Sequence, residues 1–244
     1  QRQMCIRDRP ITIAIALIAN EELQAIGESP LFHPLEKIHT APTTFPGRSR
    51  PIKDVRDHAY LNMYMALQKS SNVYVAKLVE RIIDRLGAAW YREKLRTVFG
   101  FGEKTGIEYP YENIGFLPRL GKTYKTGTMQ WSKSTPYSLA MGYNLLANSM
   151  QMIRAYGILA NRGLDVRPTF VRRIMNRDKI IKEPLPLHTR IISEEICEEI
   201  VKSLKFGTKR GGTAFRADVP GYTEAGKTST SEKIRNGKYS SEHH

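Results

Sequence analysis

Cysteine is nearly absent: Cys5 and Cys197 are the only two in 244 residues, too few for a disulfide framework. Cys197 falls on an apolar helix position and reads as core, and the pair leaves the redox compartment open. No apolar run approaches the roughly 20 residues that span a bilayer. The best candidate, Ile11 to Ala19, stops at Asn20-Glu21-Glu22. Behind Arg2, Arg7 and Arg9 it imitates a secretory leader, but its continuation through Leu23 and Ala25 fits a buried helix from about residue 11 to 26. Internal repeats and low-complexity tracts are missing too, as is any long basic run interleaved with aromatics. That last absence bears on charge. Lysine and arginine exceed aspartate and glutamate by 38 to 24, a net +14, which favours anionic partners. Without a basic block the surplus is a solvated surface, and nucleic acid is not expected. The six histidines stand isolated apart from His243-His244, so neither a metal nor a cofactor is expected.

What is present describes an ordinary globular chain, 41% hydrophobic and 25% charged, long enough for one large core. Residues 27 to 53, with prolines at 30, 34, 42, 46 and 51, are loop-like. A helix is predicted from Val55 to about Lys69, with Leu61, Tyr64 and Met65 on one side. Ser70-Ser71-Asn72 interrupts it. Val75, Leu78, Val79, Ile82, Ile83 and Leu86 then recur at helical spacing, up to a stop at Gly87. A short helix from Trp90 to Phe99 follows. Residues 103 to 138 carry little periodicity, and so long an irregular stretch is usually functional or a surface lobe. A helix over 148 to 161 is predicted to face inward with Met152, Ile153, Tyr156, Leu159 and Ala160. Val171 to Ile181 reads as two strands around Asn176-Arg177-Asp178. Ser193 is the expected N-cap of a last helix, with Glu194 and Glu195 in its first turn and Ile196, Cys197, Ile200, Val201 and Leu204 as its buried stripe. This order predicts an α+β fold with an antiparallel sheet packed with helices.

The stretch Gly221 to Lys233 organises the rest. Gly221 and Gly226-Lys227-Thr228 satisfy the G-x-x-x-x-G-K-[ST] spacing of a phosphate loop. Such a loop needs a buried apolar strand before it and a helix after it. Here Phe215 to Pro220 is too polar, and Asn236-Gly237 signals a hairpin. The alternative is an edge strand on which Lys227 and its neighbouring hydroxyls bind a carboxylate and flank a nucleophile. Taken alone, the stretch is equally an ordinary surface hairpin. Ser70 and Asn72, at i and i+2 on a tight turn, place a hydroxyl and a carboxamide side by side, although simple helix capping accounts for the same residues.

Their co-occurrence changes the balance. Lys69-Ser70-Ser71-Asn72, Phe99-Gly100-Phe101-Gly102 with Lys104-Thr105-Gly106-Ile107, Ala140-Met141-Gly142-Tyr143 followed by Gln151 to Asn161, and Ala225-Gly226-Lys227-Thr228-Ser229-Thr230 stand in a fixed order. The chain resembles, over nearly its whole length, the transpeptidase domain of class B penicillin-binding proteins, most closely those that build the division septum. The resemblance implies a β-lactamase/transpeptidase-like fold, peptidoglycan stem peptides and β-lactam antibiotics as ligands, and divisome membrane proteins as partners of the parent. It also implies a location on the periplasmic face of the inner membrane. By position, Ser70, Asn72 and Lys227 take catalytic roles, and Thr228, Ser229 and Thr230 are substrate-binding, with Thr228 and Thr230 binding the substrate carboxylate. Lys227 and Ser70 are then predicted to share one groove, close enough for a bridging water.

Three departures accompany the resemblance. The family's Ser-x-x-Lys is missing: Pro10-Ile11-Thr12-Ile13 resembles the sequence that follows it, which places Ile6 and Arg9 where serine and lysine belong. Ser229 replaces the glycine of Lys-Thr-Gly. Residues 1 to 9 look foreign, leaving 10 to 244 as a partial domain, incomplete at both termini, for which marginal stability and exposed sheet edges are expected. The expected function is an acyl-serine D,D-transpeptidase that is inert in this form. The alternatives are a serine β-lactamase and a non-catalytic penicillin- or peptidoglycan-binding sensor.

Overall fold

A computed structural model describes residues 9–177, 179–182, 189–228, 233–235 and 238–240. Its centre is helix α1 (Arg9–Ala25), which is apolar on nearly every side and buried from Pro10 to Asn20, as an all-round hydrophobic helix must be. Asn20 is tolerated there because its carboxamide is used. Its Nδ2 donates to the Phe32 carbonyl at 2.8 Å, and its Oδ1 accepts from Leu31 N at 2.7 Å. A buried amide without such partners would cost about 1–3 kcal/mol.

Strands β1 (Ile38–His39) and β2 (Tyr60–Leu61) pair antiparallel and lead into α2 (Met63–Lys69). The helix expected from Val55 therefore begins eight residues late. Asn62 takes the N-cap, its side chain accepting from Met65 N at 3.0 Å. Val55 lies 98% exposed, and Leu61 is buried from the strand instead. Helix α3 (Asn72–Thr97) contains both helices expected on either side of Gly87, whose φ of 86° and ψ of 162° break the helical path. Val75, Leu78, Val79 and Ile82 are buried against α1.

The irregular segment after α3 ends in α4 (Thr135–Ala140), which also packs on α3. Helix α5 (Ser149–Ala160) opens with a capping box between Asn148 and Gln151. Its buried face is rotated from the expected one: Leu159 is inside as expected and Met152 and Tyr156 are half-buried, but Gln151, Ala155 and Ile158 join them, whereas Ile153 is 52% exposed and Ala160 is exposed. The rotation follows from Gln151, whose Nε2 serves the carbonyls of Glu103 and Ile114 at 2.8 and 2.9 Å. A polar anchor outweighed the apolar pattern.

Strands β3 (Ile174–Asn176) and β4 (Lys179–Lys182) form the anticipated antiparallel pair. Helix α6 (Glu194–Thr208) starts at Ser193 and buries Ile196, Cys197, Ile200 and Leu204 against α1, α2 and α5. A 3-10 turn at Phe215–Ala217 precedes the stretch that carries Lys227. Strands β5 (Lys233–Arg235) and β6 (Lys238–Ser240) then pair across a two-residue connection. The fold is helix-rich with small antiparallel sheets.

Candidate active site

The site forms where the end of α2, the start of α3 and the stretch after the 3-10 turn meet. Ser70 is the C-cap of α2 with φ 61° and ψ 45°, a left-handed conformation that glycine usually takes at this position. A serine there costs about 1 kcal/mol, and such local strain concentrates at functional sites. One residue on, Ser71 caps α3. Its Oγ accepts from Tyr74 N at 3.0 Å and donates to Asp54 Oδ2 at 2.5 Å. Asp54 Oδ1 accepts from the amides of Asn72 and Val73 at 2.5 and 3.0 Å. A buried carboxylate thus holds the first turn of α3 and fixes the turn between the two helices.

Lys227 reaches this turn from 157 residues away, 7% exposed, and its Nζ donates to Ser70 Oγ at 2.7 Å. It also donates to the carbonyl and Oγ1 of Thr228 at 3.1 and 3.4 Å. Thr228 Oγ1 donates in turn to Thr213 Oγ1 at 3.0 Å, and Thr213 N donates to the carbonyl of Gln68 in α2 at 3.2 Å. The approach needs small residues. A Cβ on Gly207, in the last turn of α6, would lie 3.0 Å from the Gly226 carbonyl, and one on Gly212 would lie 2.2 Å from the Gly207 carbonyl. Thr208 Oγ1 donates to the Glu224 carbonyl at 3.1 Å. Glu224 is held below its ordinary range by the Val219 amide and the Lys209 ammonium. The end of α6 therefore props the Lys227 segment against α2.

Ser70, Lys227 and Thr228 come together; Asn72 stands one residue inside α3. Its Oδ1 accepts from the guanidinium of Arg9, and its Nδ2 donates to the Lys53 carbonyl at 3.2 Å. Ser229 and Thr230 lie outside the described residues, as do Cys5 and Ile6. From Tyr222 to Thr228 no strand pairing forms, which corrects the edge-strand expectation. The segment is held by side chains and by one long amide contact, Gly226 N to Leu204 O at 3.4 Å. The phosphate-loop reading finds no support either: no strand precedes Lys227 from Tyr222 on, and the next described element after it is β5, a strand rather than a helix. The sequence reading missed Asp54 and Thr213. Asp54 carried no signal, because its partners are seventeen residues away; Gly211-Gly212 before Thr213 was a detectable one.

A hydroxyl, an ammonium-bearing lysine and a carboxamide at the junction of two helices form an arrangement that suits binding and proton relay at a peptide terminus. The model of the penicillin binding protein transpeptidase domain matches residues 25–244. The penicillin-binding protein PbpB of Mycobacterium tuberculosis is 33% identical over 176 residues, covering 69% of this chain and 24% of that protein. The peptidoglycan D,D-transpeptidase FtsI of Escherichia coli K12 is 28% identical over 189 residues, 77% of this chain and 28% of that protein. The chain thus spans about a quarter of the length of these curated relatives. The crystal structure of penicillin binding protein 3 from M. tuberculosis superposes with a TM-score of 0.76 at 27% identity, covering 96% of this chain and 50% of that one. The transpeptidase domain of Burkholderia pseudomallei penicillin-binding protein 3 has the same fold at TM-score 0.71 and 22% identity, covering 98% of this chain and 62% of that one. By sequence and by fold alike, this chain belongs to the penicillin-binding protein transpeptidase domain family.

Proposed function

We propose that the domain serves peptidoglycan D,D-transpeptidation through an acyl-serine intermediate, with Ser70, Asn72 and Lys227 in the catalytic groove. The observation that carries this reading is the 2.7 Å contact between Lys227 Nζ and Ser70 Oγ. In such a reaction a serine oxygen, where this chain has Ile6, bonds to the penultimate carbonyl carbon of a D-alanyl-D-alanine stem, and its proton passes to a lysine, where this chain has Arg9. The C–N bond breaks and D-alanine leaves with a proton relayed through Ser70. An amino group of a second stem then attacks the ester and the serine is restored. Asn72 hydrogen-bonds the substrate amide. Lys227 attracts the terminal carboxylate, Thr228 and Thr230 bind it, Ser229 between them lets the substrate approach closely, and the Thr230 amide contributes to the oxyanion hole. β-Lactams acylate the same serine.

This chain carries Ile6 and Arg9 at the two reacting positions. Isoleucine offers no nucleophile, and arginine stays protonated and cannot act as base, so the chain as it stands binds without turnover. The contact of Arg9 with Asn72 favours a second reading, a penicillin- or peptidoglycan-binding sensor. We further propose that the domain meets peptidoglycan and divisome partners on the extracytoplasmic face of the inner membrane; among the described residues no helix is long and apolar enough to cross a membrane.

A depsipeptide ending in D-alanyl-D-lactate, offered with a D-amino acid acceptor to the Ile6→Ser, Arg9→Lys double variant, separates the readings. Transfer to the acceptor supports the transpeptidase. Hydrolysis alone supports a β-lactamase-type hydrolase, and saturable binding with neither product supports the sensor.

A further inference from the structure

A second cavity, of 720 Å³, opens between the part of α3 beyond Gly87 and the irregular segment from Ile114 to Gln130. Four cations line it. Arg92 and Arg96 stand one turn apart on α3, on the same face; Arg119 and Lys122 come from the segment opposite. Glu103 is the one acidic lining residue, and it is taken by Arg96 at 3.0 Å, while the rest of that guanidinium goes to Glu93. Among the described residues none of Arg92, Arg119 and Lys122 makes a salt bridge; Glu93 and Glu103 lie near enough to Arg92 to favour its charge, but are paired to Arg96. Burial, and then the charges of Arg119 and Arg96, push the Arg92 guanidinium below its usual range. Like charges gathered around a half-enclosed space repel one another, and a bound oxyanion removes that penalty.

The cavity is built rather than incidental. Arg92 Nε donates to the Pro118 carbonyl at 2.6 Å, which ties that cation in place, and the Arg119 backbone amide donates to Gln130 Oε1 at 3.2 Å, which fixes the segment that carries Arg119. Phe116 pairs with Leu146, and Gly115 permits that approach: a Cβ on it would lie 2.0 Å from the Leu146 carbonyl. Phe101 and Leu117, both buried, supply an apolar floor beneath the cations. Planar guanidinium forks beside an ammonium suit a multiply charged, multi-acceptor oxyanion better than a single carboxylate.

We propose that this cavity is a binding site for a phosphate or pyrophosphate group, separate from the Ser70–Lys227 groove. Two sources share that chemistry, a free polyphosphate anion and a phosphate borne on a lipid chain; the apolar floor favours the second. The test is equilibrium dialysis and phosphorus NMR line broadening of the 244-residue chain with pyrophosphate, with geranyl pyrophosphate, and with geraniol as the uncharged control.

Saturable binding of both phosphorylated probes and none of geraniol is expected. Arg119→Glu combined with Lys122→Glu should weaken it by at least about tenfold, since two charge-assisted contacts are lost, with the far-UV circular dichroism unchanged. Arg172→Glu with Arg173→Glu, an equal change of net charge away from the cavity, should leave it unaltered. Tighter binding of geranyl pyrophosphate assigns the site to lipid-borne phosphate, and equal affinity assigns it to the free anion. Absence of saturable binding overturns the proposal. So does an equal loss in the two double variants, which would reduce the binding to general attraction by a basic surface.

Discussion

Ser70 carries a conflict that can be measured. Its left-handed backbone favours glycine, while its hydroxyl accepts from a nearly buried lysine. Replacing it with alanine removes the hydroxyl and keeps the strain; replacing it with glycine removes both. Ser70→Gly should therefore be more stable than Ser70→Ala by about 1 kcal/mol in urea unfolding. Equal stability would mean that the backbone is not strained there. Asp54 is the complementary case. Its carboxylate receives Ser71 Oγ and two amides, so Asp54→Ala should cost about 2–4 kcal/mol, a lost cap plus orphaned buried donors. A loss under half a kcal/mol would contradict the view that Asp54 sets the turn. The roles of Ser70, Asn72 and Lys227 are proposed, but the meeting of Ser70 with Lys227 was legible in the sequence, because their residue types and order form a motif. Asp54 was not, because nothing in Lys53-Asp54-Val55 announces a partner seventeen residues on.

At the level of elements, the irregular segment after α3 is fastened to α5 by polar contacts. Glu112 accepts from Thr105 N, from Thr105 Oγ1 at 2.8 Å and from Asn148 Nδ2 at 3.2 Å. Burial works to raise its pKa, but these hydrogen bonds prevail and hold the carboxyl below 4.5. A carboxyl depressed in the folded state contributes stability above its ordinary value and loses it as pH falls through the folded value. Hydrogen exchange of residues 103–114 should accordingly quicken below about pH 4.5 in the native chain. In Glu112→Gln it should already be faster at neutral pH, with no further acid step. An identical acid step in that variant would assign it to another group.

The same elements show where periodicity succeeds. The stripes of α3 and α6 were readable in the main because apolar burial decides them, although Ile83, Leu86 and Val201 are only half-buried at their margins. The face of α5 was not, because a buried glutamine, satisfied by three distant carbonyls, turned the helix. The helix expected from Val55 failed for a related reason: Asn62 is a better cap than an interior residue, and the chain before it pairs as a strand.

At the scale of the molecule, the described residues share a core centred on α1, against which α3 and α6 pack, and the sole described cysteine reports on that core. Burial pushes the Cys197 thiol up to about 11. Because the folded value is raised, the associated stability is fully present below the ordinary thiol range and fades as pH rises toward 11. In a Cys5→Ser background, alkylation by iodoacetamide at pH 8 should be undetectable until urea unfolds the chain. Prompt alkylation under native conditions would show that α6 is not seated on the core.

The central claim is that Lys227 and the turn at Ser70 to Asn72 form one functional groove, whatever stands at positions 6 and 9. Fluorescent-penicillin labelling of the Ile6→Ser, Arg9→Lys double variant, with and without Lys227→Ala, addresses it most directly. The account predicts covalent labelling of the double variant, none of the chain as it stands, and loss of at least about a hundredfold in labelling rate when Lys227 is removed. Labelling that is indifferent to Lys227, or its absence from a folded double variant, would contradict it.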